Sequence, residues 1–180
     1  PIEVIPNGVN VGKFSEHVPE EKLAELKAKF GKSMGDILLF TSSRLVLSRG
    51  VEDIIRALRH LPLEVRLLVA GDGEDRETLE KIVTETGVEG RVMFAGHIDH
   101  KELPALMRIC DIFVRPSIIE GMGSSFVEAF AAGLPVVATP VGGIPDFLFD
   151  PERNPDKEST GIFCNVRDPE SVARAVKRYI

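Results

Sequence analysis

The chain has 180 residues, 43% of them hydrophobic and 28% charged, with a formal net charge of −6. That length suits a single domain with a sizeable core. The mixed, mildly acidic charge excludes a general nucleic-acid binder, which needs a basic block to neutralise consecutive phosphates. A small anionic ligand stays open, because two well-placed arginines outweigh a diffuse, screened surface charge. No apolar run approaches the roughly 18 residues of a membrane span, and no signal-peptide pattern opens the chain, so a cytoplasmic location is expected. Residue 1 is Pro rather than Met, which reads as a chain processed or cut from something longer.

In chain order, Val4 to Val9 carries a Pro-Asn-Gly turn between short apolar stretches and reads as a connector. Pro19 then opens a helix with Leu23, Leu26 and Phe30 on one face and Gly31 as its stop. Strands and helices alternate from there. Strands are expected at Ile37–Thr41, Val65–Ala70, Val92–Ala95, Ile112–Val114, Val136–Ala138 and Ile162–Asn165. Most are continuous apolar runs, as strands covered on both faces should be. Helices are expected to start near Val51, Asp75, Glu102, Ser125, Ile144 and Pro169, with Asp99 capping the third of these. The polar stretch Asp150–Thr160 reads as an exposed, mobile loop. Cys110 and Cys164, both in apolar runs and at no zinc spacing, read as free buried thiols of a reducing compartment.

This alternation predicts an α/β fold, a Rossmann-like doubly wound parallel sheet of about six strands. Ligands of such sheets sit beyond the carboxyl ends of the strands. Attention therefore falls on the loops at 42–50, 71–74, 96–99, 115–124 and 139–143. The strongest local signal is the run from Arg115 to Ala129, a strand end, a glycine loop and a helix start. Gly121 and Gly123, flanking Met122, let backbone N–H groups approach a ligand. The helix N-terminus, near Ser124 and Ser125, adds unpaired donors and the positive end of a dipole. A plain turn that needs glycine is the simpler account of the same pattern.

Glu120 and Glu128 bracket that loop. On one helix they would lie ~12 Å apart along the axis and ~80° apart around it. That suits poorly the close carboxyl pair of a glycosidase, roughly 5–9.5 Å. It suits better a loop Glu120 and a Glu128 on the second helical turn, each gripping a different part of one extended ligand, with sugar hydroxyls as natural partners. The second signal is Ser43 to Gly50, where Arg44 and Arg49 share one post-strand loop, as a diphosphate would require. Gly71-Asp72-Gly73 lacks the third glycine of a dinucleotide fingerprint and reads as a tight turn. His17 and His60 read as surface residues, and His97 at a strand end as a pocket candidate. No Ser-His-Asp arrangement or metal-ligand cluster is visible.

Glu120-x7-Glu128, followed by Ala129-Phe-Ala-Ala-Gly-Leu-Pro-Val-Val-Ala-Thr-Pro-Val-Gly-Gly-Ile-Pro145, resembles the retaining GT-B glycosyltransferases, specifically family 4. Supporting pieces stand in the family's order: Ile5 to Val9, Ser43 to Leu45 with Arg49 and Gly50, Ala70 to Gly73, Phe94 to Gly96, and Asp111 to Ser117. The resemblance covers nearly the whole chain. It implies that residues 1–12 are the remnant of an interdomain linker and 13–180 the nucleotide-sugar-binding C-terminal domain. By the same resemblance Glu128 holds ribose hydroxyls, Glu120 contacts the transferred sugar, and amides at Gly121, Met122 and Gly123 meet sugar and phosphates. Arg44 and Arg49 neutralise the diphosphate, and main chain around His97 and Ile98 meets the base. Glu120, Arg44 and Arg49 would then carry the chemistry. A UDP-, GDP- or ADP-sugar donor is implied and no metal or cofactor. The acceptor-binding N-terminal domain would lie upstream, and peripheral membrane association of the full enzyme stays open. Position 49 is usually Lys in the family, and Ser124 and Ser125 replace common apolar residues. A sugar-nucleotide epimerase of the same architecture and a non-catalytic binding module are the alternative readings.

Overall fold

The structure is a computed structural model and describes residues 8–180. Its centre is a six-stranded, all-parallel sheet: β1 (Ile37–Ser42), β2 (Val65–Ala70), β3 (Val92–Gly96), β4 (Ile112–Arg115), β5 (Val136–Ala138) and β6 (Ile162–Phe163). The spatial order is β3-β2-β1-β4-β5-β6. The Rossmann-like α/β fold expected from the alternation is therefore the fold found, with each strand within one or two residues of its expected bounds. β6 is two residues shorter than expected. Cys164 still donates its N–H to the Ala138 carbonyl, but the Asn165 N–H turns to the Ser171 hydroxyl.

Helices α1 (Val11–Ser15), α2 (Glu20–Lys29), α5 (Leu103–Met107) and α6 (Ser124–Ala131) supply the apolar layer containing Phe14, Phe30, Leu106 and Phe126. Helices α3 (Val51–Ala57), α4 (Arg76–Thr86) and α7 (Pro169–Lys177) supply the other, with Ile54, Leu79 and Val176. Successive strand side chains alternate between the two: Leu38 and Phe40 join the first layer and Leu39 the second, as do Leu68 and Leu67. This is the period-2 geometry of a strand expressed within a continuously apolar run. Both cysteines are buried free thiols, and burial pushes Cys164 up to about 12.

Three expectations change, and a fourth lies largely outside the described residues. The connector at 1–12 lies outside the described residues for its first seven, and Val11 and Gly12 belong to α1, whose Phe14 is buried. The helix near Ile144 is a single 3-10 turn, Ile144–Asp146, because the chain then drops into the core at Leu148 and Asp150. Asp99 caps the turn ahead of α5 rather than the helix itself, its carboxylate accepting from the Lys101 N–H. The stretch from Asp150 to Thr160 is exposed but pinned at both ends. Buried Asp150 accepts the N–H groups of Glu152 and Phe163 and sits 3.4 Å from Arg178, while the Thr160 hydroxyl donates to the Phe147 carbonyl. Among the described residues no helix is long and apolar enough to cross a membrane.

Asp53, in the first turn of α3, is buried, and that burial, with Glu52 beside it, pushes its carboxyl up to about 6 from 3.8. The folded state therefore holds this proton more firmly than the unfolded chain, and stability falls as pH rises from about 4 to about 6. Asp53→Asn should abolish that slope and be the more stable protein above pH 6, by ~1–3 kcal/mol. Denaturant unfolding of both proteins at pH 4 and pH 7 checks this, with the difference vanishing at the lower pH.

Candidate functional site

The sheet order reverses between β1 and β4, the switch point at which doubly wound sheets bind ligands. Loops from five strands meet there and are joined main chain to main chain. Ser43 N–H donates to the Ala70 carbonyl, Leu45 N–H to Asp72, Gly71 N–H to Gly96, Ile118 N–H to Ser48 and Gly143 N–H to Gly121. Several close approaches among these loops require glycine. At Gly71, Gly50 and Gly142, all with positive φ, a Cβ would overlap the carbonyl of Ser43, Pro116 and Glu120 respectively. The Gly71-Asp72-Gly73 segment is thus a close packing device against the Ser43–Leu45 loop, and the turn into α4 falls at Glu74 and Asp75.

Between these loops lies a cleft of about 480 Å³, within the ~300–1,000 Å³ usual for small-molecule sites. Ser42, Ser43 and Arg44 form one wall, Ser124, Ser125 and Glu128 of α6 another, and His97, Ile98 and His100 the rim after β3. Of the residues expected from sequence, the cleft brings together Arg44, His97, Ile98, Ser124 and Glu128. Glu128 stands on the second turn of α6 and Glu120 in the loop, the arrangement favoured above. The Glu128 side chain is only 7% exposed, and its Oε1 lies 3.2 Å from Nε2 of His100.

Arg49, Glu120, Gly121, Met122 and Gly123 do not line that cleft. They form an adjoining cluster joined to it through Arg115, which lines the cleft and reaches Glu120. Glu120 Oε2 accepts from Arg49 Nη1 at 2.9 Å and sits 2.7 Å from Arg115 Nη2, while Oε1 accepts from the Gly121 N–H at 3.1 Å. Arg115 also donates to the Ser125 hydroxyl and stacks 5.5 Å from the centre of the Phe126 ring. Its burial pushes the guanidinium down from its ordinary range, against the pull of Glu120. Gly123 has φ +70° and would bring a Cβ against the Phe126 ring, whereas Gly121 has open space where a Cβ would stand.

Sequence reading missed Arg115 and His100 as site residues. Arg115 opened the run singled out in the sequence, but as a strand end and not as a cation of the site. His100 lies just past the expected cap Asp99, and nothing local ties it to Glu128.

A model of the glycosyl transferases group 1 family matches residues 23–180. The chain belongs to this family. This group 1 glycosyl transferase chain is 32% identical to the D-inositol 3-phosphate glycosyltransferase of Xylanimonas cellulosilytica, over 93% of its own length and 40% of the relative's. It is also 32% identical to the GDP-mannose-dependent alpha-(1-6)-phosphatidylinositol monomannoside mannosyltransferase of Mycolicibacterium smegmatis, over 97% of its own length and 46% of the relative's. Among solved structures, HepE of Anabaena in complex with UDP and glucose is similar at a TM-score of 0.85 and 25% identity, over 98% of this chain and 46% of that one. The chain spans under half the length of these relatives. Its parallel Rossmann-like sheet is that of GT-B glycosyltransferases.

Gly123→Ala should force the loop off the Phe126 ring, since both the φ and the space disfavour a side chain. The expected cost is more than ~1 kcal/mol, about 2–4 °C in Tm or more for a domain of this size. Thermal unfolding measures it, and Gly121→Ala, which meets no such contact, should leave Tm within a degree or two.

Proposed function

We propose that this chain is the donor-binding, C-terminal half of a retaining, family 4 GT-B glycosyltransferase, and that its cleft takes a nucleoside diphosphate sugar. One observation carries the reading: Arg44, the first turn of α6 and the buried carboxylate of Glu128 converge on a single cleft at the β1/β4 switch point. A cation and a helix N-terminus suit a diphosphate. A carboxylate with few competing partners suits vicinal hydroxyls, which are those of the ribose.

In this reading Arg44, Ser124, Ser125 and the unpaired amides of α6 meet the phosphates, and Glu128 grips the ribose. Main chain at His97 and Ile98 meets the base at the rim. Glu120 and the amides of Gly121 to Gly123 face the transferred sugar. The open space at Gly121, which neither its φ nor its packing demands, is what close approach of a ligand to the backbone would use. Arg49 and Arg44 stabilise the departing nucleoside diphosphate as its bond to the sugar's anomeric carbon breaks. The acceptor hydroxyl forms the new bond on the same face, and its proton passes to the departing diphosphate oxygen. Arginines meet the diphosphate charge, so the reading asks for no metal or cofactor. An acceptor-binding half is needed for transfer, because orientation of the two reactants contributes roughly 7–11 kcal/mol. This chain alone should bind donor and transfer little.

UDP and GDP are the first nucleotides to test, given UDP in the Anabaena complex and the GDP-mannose dependence named for the Mycolicibacterium relative. At a hundredfold excess over Kd, one of the UDP-, GDP- or ADP-sugars should raise Tm by about 5–10 °C. Arg44→Ala and Glu128→Ala should each weaken that binding at least tenfold in calorimetric titration while the fold persists. If none of the three nucleotides shifts Tm, the reading is wrong.

A further inference from the structure

Behind Arg44 and Arg49 lies a further guanidinium, that of Arg115, closing β4 at the switch point. Arg115 and Arg49 share one oxygen: Glu120 Oε2 is 2.7 Å from Nη2 of Arg115 and 2.9 Å from Nη1 of Arg49. The two cations are held very differently. Arg115 stands on a strand and is 8% exposed. Its other arm donates to the Ser125 hydroxyl and, at 3.4 Å, to the Ser42 carbonyl, and the Phe126 ring lies against it. Arg49 ends a 3-10 turn in a loop and is 29% exposed, and its Nη1 also donates to the Ile119 carbonyl at 3.2 Å. One partner of Glu120 is fixed and the other has room to move.

Glu120 itself is 7% exposed. Removing the last cation from so buried a carboxylate is strongly unfavourable, because water cannot replace it. Two guanidinium groups on one carboxylate leave the cluster one positive charge in excess, and that excess is what an anionic ligand draws on. We infer that Arg115 is the positioning residue that frees Arg49: it retains the Glu120 carboxylate while Arg49 turns from Oε2 to the donor diphosphate. The inference rests on the cleft being a nucleoside diphosphate site. Arg115 then governs diphosphate affinity through Arg49. Deprived of it, Arg49 becomes the sole guanidinium on Glu120 and stays there.

The test is a double-mutant cycle read by calorimetric titration with UDP, GDP and ADP on the whole chain, using wild type, Arg115→Met, Glu120→Gln and the double variant, with Tm recorded for each. Arg115→Met should weaken binding at least tenfold. In the Glu120→Gln background the same change should cost less than threefold, since a neutral amide needs no cation. Arg44→Ala, whose group has no part in the exchange, should lose affinity equally in both backgrounds. Should Arg115→Met fail to fold, Arg115→Lys, which keeps the charge but not the second arm toward Ser125, is read in the same cycle, with a smaller loss that again vanishes in the Glu120→Gln background. An equal loss in both backgrounds, or no loss at all, overturns the exchange while leaving the donor-site reading standing. Wild type that binds none of UDP, GDP and ADP overturns both.

Discussion

At the carboxyl edge of the sheet, neighbouring loops approach so closely that their main chains exchange hydrogen bonds and no side chain fits between them. Gly71 against Ser43, Gly50 against Pro116 and Gly142 against Glu120 are the points of contact. Each has a positive φ, which L side chains rarely adopt. Because the loops are locked to one another, Arg44, the start of α6 and the rim at His97 keep fixed relative positions. The cleft is thus a consequence of backbone packing first and of side-chain chemistry second.

On that frame the electrostatics divide in two. Glu128 faces the cleft with His100 at its Oε1, a histidine whose own side chain is 69% exposed. The Glu120 side chain is buried and held by Arg115, Arg49, Ser117 and the Gly121 N–H. A carboxylate held by several donors is costly to strip, and a carboxylate with one exposed partner is easily given a better one. The two acids of the same motif are therefore held differently, Glu120 by several donors and Glu128 by one exposed histidine.

The α/β alternation, the post-strand loops and the placement of Glu120 in a loop with Glu128 on the second turn of α6 were all legible in the chain itself. They follow from local rules: apolar runs bounded by turn residues, and helix starts marked by Pro, Asp or Ser. Where reading failed, a distant partner overrode the local signal. Ile144 to Asp146 makes one 3-10 turn rather than a helix because Leu148 and Asp150 are drawn into the core. The polar stretch after Asp150 is tied down by Phe163 and Arg178, residues far along the chain.

What the sequence alone determined was the order of strands and helices, and hence which loops share the binding edge, because burial on both faces and turn chemistry act over a few neighbouring residues. Only the tertiary structure decided which charges meet. Arg49 reaches Glu120 across 71 positions and His100 reaches Glu128 from another loop, and no periodicity encodes contacts set by how separate strands lie side by side. The division of the expected residues between a cleft and an adjoining ion cluster, with Arg115 joining the two, belongs to that second class for the same reason.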